Sequence, residues 1–106
     1  MGLFGSKELT VNEGINHART EVGAILLDIR SKEDFQTRHV KGAINIPLDR
    51  MDLIERRIPN KEAHLYIVGS VNNRPKKAIK PLKKLGYNNT TPCGLMEEHN
   101  VSLYGR

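Results

Sequence analysis

Short apolar runs alternate with amphipathic segments along this chain. The runs Ala24–Arg30 and His64–Val68 are rich in β-branched and large apolar residues, a pattern typical of strands buried on both faces of a parallel sheet. Ala43–Ile46 alternates as a short strand that Pro47 ends, and Asn88–Pro92 predicts a weak final strand. This alternation predicts a single α/β domain whose mainly parallel central sheet of about five strands is flanked by helices.

The helices of the first half are indicated by their N-terminal caps. Thr10 and Glu13 have the spacing of a capping box, so a helix is predicted from there to about Thr20. Ser31 is placed to cap a short helical turn. Further on, apolar residues at helical intervals predict one amphipathic helix within Pro47–Ile58.

A basic helix is predicted between Pro75 and Gly86. Proline suits the first helical position because it has no N–H to leave unpaired, and glycine can adopt the left-handed conformation that ends a helix. Apolar residues recur at helical spacing through this segment, at Ala78, Ile79, Leu82 and Leu85. Pro81 removes one backbone hydrogen bond, so we expect a kink or a short distorted turn there.

The length and the cysteine content limit the class of protein. A chain of 106 residues accommodates one core, so residues 1–106 are predicted to form a single domain with frayed ends at 1–9 and 98–106. The lone cysteine, Cys93, excludes an internal disulfide and fits a reducing compartment. No apolar run is long enough to span a membrane. These features predict a cytoplasmic protein with no membrane partner.

The net charge of +5 comes largely from the basic helix. Lys76, Lys80, Lys83 and Lys84 fall on one helical face opposite the apolar stripe, the pattern of a solvated outer face. A nucleic-acid surface is poorly supported because aromatic residues are few and tryptophan is absent. The spacing of histidines and of Cys93 matches no metal-ligand pattern, so no metal or other cofactor is predicted.

A polar loop between the strand at His64–Val68 and the basic helix is the candidate binding site. Loops between a strand end and a helix N-terminus can bind anions through free N–H groups. We expect Arg74 to face such a ligand. The predicted binding residues are Gly69, Ser70, Val71, Asn72, Asn73 and Arg74.

Two charged residues end the first apolar run, where ligand crevices form in open α/β sheets. Asp28, Arg30 and the later His39 can be read as an acid, a cation and a base. They can also be read as structural groups that hydrogen-bond to neighbouring loops and support a turn, and the sequence favours this second interpretation.

These residues belong to a longer pattern that resembles rhodanese-like domains. Leu27–Arg30 is followed by Ser31, Glu33 and Phe35, and then by the segment His39–Pro47, as in the family's Asp-x-Arg strand end and His-x-x-Gly-Ala-x-Asn-Ile-Pro motif. The resemblance extends from about Ala24 to Met96. It implies a single-domain rhodanese-like, or sulfurtransferase, fold.

The same resemblance implies that the catalytic residue is missing. In the family a cysteine is followed by four residues and an arginine, and this spacing counted back from Arg74 falls on Gly69. Glycine can form neither a thiolate nor a persulfide. A cysteine introduced at position 69 is expected to have a lowered pKa, because the loop N–H groups favour a thiolate.

Two hypotheses about function follow. The first, which we favour, is an inactive rhodanese-like domain that binds a small anion, a sulfur compound or a protein partner at the loop. The alternative is a thiosulfate or persulfide sulfurtransferase that uses Cys93 as a relocated nucleophile. Cys93 can equally be a small buried apolar residue. The pKa of its thiol distinguishes these interpretations, because a reactive cysteine needs thiolate character at neutral pH.

Overall fold

The computed structural model describes residues 8–98, which form four parallel strands and four α-helices. Most of the ends predicted to fray lie outside these residues. In chain order the elements are α1 (Val11–Thr20), β1 (Ile25–Asp28), α2 (Lys32–Thr37), β2 (Ile44–Asn45), α3 (Ile54–Arg57), β3 (Leu65–Gly69), α4 (Ile79–Lys84) and β4 (Thr90–Leu95). The described residues also contain three 3₁₀ segments. Leu48–Leu53 precedes α3, Pro75–Ala78 precedes α4, and Met96–Glu98 follows β4.

The strands form one sheet in the order β2-β1-β3-β4, with every neighbouring pair parallel. The chain leaves β1 towards β2 on one side and leaves β3 towards β4 on the other side. Connections that diverge in this way open a crevice at the carboxyl ends of two adjacent strands. The candidate loop follows β3, so it borders this crevice.

Helices and other segments cover both faces of the sheet. Side chains alternate between the faces along each strand. On β1, Leu27 joins a cluster with residues of α3 and α4, whereas Leu26 joins a cluster with residues of α1. On β3, Ile67 belongs to the same cluster as Leu27, and Val68 belongs to the same cluster as Leu26. The predicted α/β architecture with a parallel sheet between helices is therefore confirmed.

The predicted caps of α1 and α2 are present. The Glu13 N–H donates to Thr10 Oγ1 at 3.1 Å, while the Thr10 N–H donates to Glu13 Oε1 at 2.9 Å. The Ser31 hydroxyl accepts from the Asp34 N–H at 3.1 Å. Each cap satisfies an N–H that an isolated helix leaves unpaired.

The predicted sheet and one predicted helix need correction. The described residues contain four strands and not about five. The helix predicted within Pro47–Ile58 is a 3₁₀ segment, Leu48–Leu53, followed by the short α3. Leu48, Met51 and Ile54 are three residues apart, and this spacing suits a 3₁₀ segment because its side chains at i and i+3 are aligned.

Two prolines lie where the backbone tolerates them. The final strand begins at Thr90 and continues to Leu95, later than predicted, and contains Pro92. Because β4 is at the edge of the sheet, a residue without an N–H is acceptable there. Pro81 lies in the first turn of α4, where N–H groups have no partner within the helix. The expected distortion occurs before it, as the 3₁₀ segment Pro75–Ala78.

Within residues 8–98, no helix is long and apolar enough to cross a membrane.

Candidate functional site

The loop after β3 is a tight turn closed by its own hydrogen bonds. The Ser70 N–H donates to the Asn73 carbonyl oxygen at 3.0 Å, and the Asn73 N–H donates to Ser70 Oγ at 3.1 Å. The Asn73 side-chain amide also donates to the Ile29 carbonyl at 3.2 Å, which fixes the turn to the end of β1. Two of the N–H groups predicted to bind an anion are therefore used inside the turn.

Gly69 lies directly beneath this turn. A Cβ atom built at Gly69 would overlap the Asn73 carbonyl oxygen and would lie 3.0 Å from Cδ of Pro75. The turn folds back so closely because position 69 has no side chain. A cysteine at position 69, whose thiol is expected to have a lowered pKa, therefore requires this turn to move.

Asp28 and Arg30 form a buried ion pair at the carboxyl end of β1. Asp28 is 0% exposed, and its carboxylate accepts from Arg30 Nε at 3.1 Å and from Nη2 at 2.9 Å. Arg30 Nη2 also donates to the Arg38 carbonyl at 2.6 Å. The Asn45 side-chain amide donates to the carbonyls of Asp28 and Arg30 at 2.9 and 3.0 Å. These contacts hold the Arg30 guanidinium at the crevice.

A cleft of about 450 Å³ lies between this turn and α2, and we call it the loop cleft. Its lining residues come from the end of β1, from α2 and Arg38, from the turn and from the segment after β4. They are Arg30, Asp34, Thr37, Arg38, Ser70, Met96 and Glu97. Two arginines, two acidic residues and a serine therefore line one cleft.

The loop cleft contains few of the predicted binding residues. Of the six predicted loop residues, Ser70 lines the cleft. Of Asp28, Arg30 and His39, Arg30 lines it. Arg74, which was expected to face a ligand, is exposed and is not among the lining residues. The His39 ring stacks on Phe35, and its Nδ1 lies 2.8 Å from the Phe35 carbonyl oxygen, so His39 supports the turn after α2.

Sequence reasoning missed the residues that α2 and the end of β4 contribute. Asp34, Thr37 and Arg38 give no local signal, because a short polar helix has no face marked for binding. Met96 and Glu97 have a usable signal: they follow β4, and the carboxyl ends of neighbouring parallel strands lie at the same sheet edge.

The structure argues against Cys93 as a relocated nucleophile. Its side chain is 0% exposed and belongs to the apolar cluster beneath α1. A Cβ built at Gly14 of α1 would overlap the Cys93 sulfur, so the helix packs directly on the thiol. Burial raises the pKa of Cys93 to about 12. The thiol is therefore protonated at neutral pH, and the interpretation as a small buried apolar residue is favoured.

A second polar cluster lies at the opposite, amino-terminal edge of the sheet. Glu21 accepts from the Tyr66 hydroxyl and lies 3.0 Å from His64 Nδ1, while His64 Nε2 lies 2.6 Å from Thr91 Oγ1. The hydrogen bond from Tyr66 lowers the pKa of the Glu21 carboxyl, and burial raises the pKa of Tyr66 to about 12. These bonds join the end of α1 to β3 and β4.

Among residues 8–98, no group of three or more histidine, cysteine, aspartate or glutamate side chains is arranged to bind a metal ion.

Fold and site together define an α/β domain with a crevice at the carboxyl edge of a parallel sheet. The family model for the rhodanese-like domain matches residues 11–94. The chain belongs to the rhodanese-like domain family.

Similar proteins include sulfurtransferases. The chain is 29% identical over 73 residues to the thiosulfate sulfurtransferase PspE of Escherichia coli, covering 68% of this chain and 70% of that protein. It is 34% identical over 64 residues to the adenylyltransferase and sulfurtransferase uba4 of Ogataea parapolymorpha, covering 60% of this chain but 16% of that protein. A solved structure described as a rhodanese with anions from E. coli has a TM-score of 0.65 and 26% identity, covering 77% of this chain and 99% of that one.

Proposed function

We propose that this chain is a rhodanese-like domain that binds a small oxyanion, such as thiosulfate or sulfate, in the loop cleft without catalysing sulfur transfer. The observation that carries the proposal is the turn above Gly69. The family resemblance assigns the nucleophile to this position, and a Cβ there would overlap the Asn73 carbonyl oxygen. The loop conformation therefore leaves no space for a cysteine side chain.

The composition of the loop cleft supports an oxyanion as the ligand. Guanidinium groups match the geometry of oxyanions, and the cleft is lined by Arg30 and Arg38 beside the Ser70 hydroxyl. Asp34 and Glu97 offset this positive charge and Arg30 is already paired with Asp28, so we expect weak binding, with a Kd of about 1–10 mM. The similarity to an E. coli rhodanese whose structure is described with anions gives further support.

The 106-residue chain is expected to form no thiocyanate from thiosulfate and cyanide above the uncatalysed rate. No described thiol has thiolate character, because Cys93 is buried and its pKa is raised to about 12. The matched control is Cys93→Ser, which should give the same rate. Turnover that Cys93→Ser abolishes would establish a relocated cysteine. Turnover that survives the substitution would establish another sulfur acceptor, and either result would overturn the proposal.

Sulfate is expected to shift the amide resonances of the loop cleft before those of the basic helix. The measurement is a sulfate titration followed by NMR, with ionic strength held constant by chloride. Arg38→Gln should weaken binding roughly five- to tenfold, because one charge-assisted hydrogen bond is lost. Arg74→Gln removes the same charge from outside the cleft lining and should change binding less than about twofold. Shifts confined to Lys76–Lys84 would indicate a diffuse basic surface and would contradict the proposal.

A further inference from the structure

The Glu97 carboxylate contacts the backbone of the candidate loop. Its two oxygens lie 3.0 and 3.2 Å from the Val71 nitrogen, so the Val71 N–H donates to the carboxylate. Glu97 belongs to the 3₁₀ segment Met96–Glu98, which follows β4. The segment after one strand therefore supplies an anionic group to the loop after its neighbour.

The Val71 N–H is a donor that the closed turn leaves for an external acceptor. The N–H groups of Ser70 and Asn73 donate to atoms inside the turn, whereas the Val71 N–H points away from it to Glu97. Val71 itself is 52% exposed. Val71 is not among the residues that line the loop cleft, but it follows Ser70 and its N–H donates to Glu97, both of which do line it. An oxyanion that binds beside Ser70 would therefore approach this N–H and the Glu97 carboxylate together.

The same carboxylate also sets the charge of the loop cleft. Glu97 lines the cleft together with Arg30, Arg38 and Asp34, and because Arg30 is already paired with Asp28, the Glu97 carboxylate makes the net charge of the cleft less favourable for an anion. It therefore acts on an incoming anion in two ways. It occupies a hydrogen-bond donor, and it repels a like charge at short distance.

We propose that Glu97 is an internal anion that competes with external oxyanions for the loop cleft. An oxyanion binds by displacing the carboxylate from the Val71 N–H, and this displacement releases the segment Met96–Glu98 from the loop. The inference rests on the proposed anion-binding function and adds its regulation. Coupling of this kind is reciprocal. If anion binding strengthens an interaction that draws the segment away from the loop, that interaction strengthens anion binding by the same factor.

Glu97→Gln tests the competition with little change in shape. Glutamine keeps the length of the side chain but removes the charge. The contact is solvent-exposed, so its effect is moderate, and we expect sulfate to bind the variant roughly five- to tenfold more tightly than the wild type. Glu98→Gln is the matched control, since Glu98 is the adjacent exposed carboxylate and lines a different cavity with Glu8 and Thr10. It should change binding less than about twofold.

The experiment is a sulfate titration of the wild-type 106-residue chain and its two variants, with chloride holding the ionic strength constant. The amide resonances of Ser70, Val71 and Met96 are followed by NMR. In the wild type, the Met96 resonance should shift along with that of Val71, because the segment is released as sulfate binds. Tighter binding in Glu97→Gln alone supports competition by Glu97.

The other outcomes separate the two proposals. Equal affinity in all three proteins, with shifts in the loop cleft, would overturn the role of Glu97 and leave the anion-binding function standing. Equal tightening in Glu97→Gln and Glu98→Gln would reduce the effect to general charge and would also overturn the role of Glu97. No shift at the loop cleft in any of the proteins would overturn the anion-binding function and, with it, the inference.

Discussion

Asp28→Asn is expected to lower the free energy of unfolding by about 3 kcal/mol. The carboxylate is fully buried and accepts several hydrogen bonds from Arg30, whose side chain is 9% exposed. Asparagine leaves the guanidinium without a counter-charge in a largely buried position, and the cost falls at the lower end of the usual range because Arg30 reaches the cleft. Urea unfolding followed by circular dichroism measures the change.

The exposed pair of Arg50 and Asp52 provides the control. The Arg50 Nε lies 3.2 Å from Asp52 Oδ1, and both side chains are more than half exposed. Asp52→Asn removes the same charge from solvent, where ion pairs contribute little, and should leave the unfolding midpoint near that of the wild type. If Asp28→Asn is as stable as Asp52→Asn, the pair at the end of β1 does not hold Arg30 in the described way.

Gly69→Ala is expected to lower the free energy of unfolding by about 2–3 kcal/mol and to open the turn after β3. The added Cβ would overlap the Asn73 carbonyl oxygen, so the turn must move and the hydrogen bond from Ser70 is lost. Overpacking of a tight site costs about 1–3 kcal/mol, and one hydrogen bond contributes about 1 kcal/mol. Urea unfolding and hydrogen exchange at the Ser70 amide measure the two effects.

Ser70→Ala is the comparison for this prediction. It removes the hydrogen bond from the Asn73 N–H to Ser70 Oγ without adding an atom at position 69, so it should cost only about 1 kcal/mol. A Gly69→Ala protein with wild-type stability and a protected Ser70 amide would show that the turn does not depend on glycine. Gly69→Cys demands the same displacement, so its thiol acquires a lowered pKa only if the turn opens.

This dependence on glycine connects the stability of the loop with the proposed function. In the closed turn, a carbonyl oxygen occupies the place of a nucleophile's first side-chain atom, and the donor at Val71 is bound to Glu97. We therefore propose the loop cleft, which Arg30, Arg38 and Ser70 line together, and not position 69, as the place where a ligand binds.

The sequence by itself determined the features that depend on local spacing. The capping box of Thr10 and Glu13 formed as predicted because both groups belong to one helical turn. The apolar runs became the two central strands, since a run that is apolar on both faces is stable only between two covering layers. The motif from Leu27 to Pro47 indicated the family, and the family model matches residues 11–94.

Only the tertiary structure decided which groups meet at the crevice. The hydrogen bond from Asn73 to Ile29 joins residues that are 44 positions apart in the sequence, and the one from Val71 to Glu97 joins residues that are 26 apart. Such contacts depend on strand order and on the exact path of each loop, neither of which leaves a periodic signal. The same holds for Cys93, whose burial beneath α1 raises the pKa of its thiol. Local patterns specify elements, whereas the chemistry of a site depends on distances between elements, and packing alone sets these.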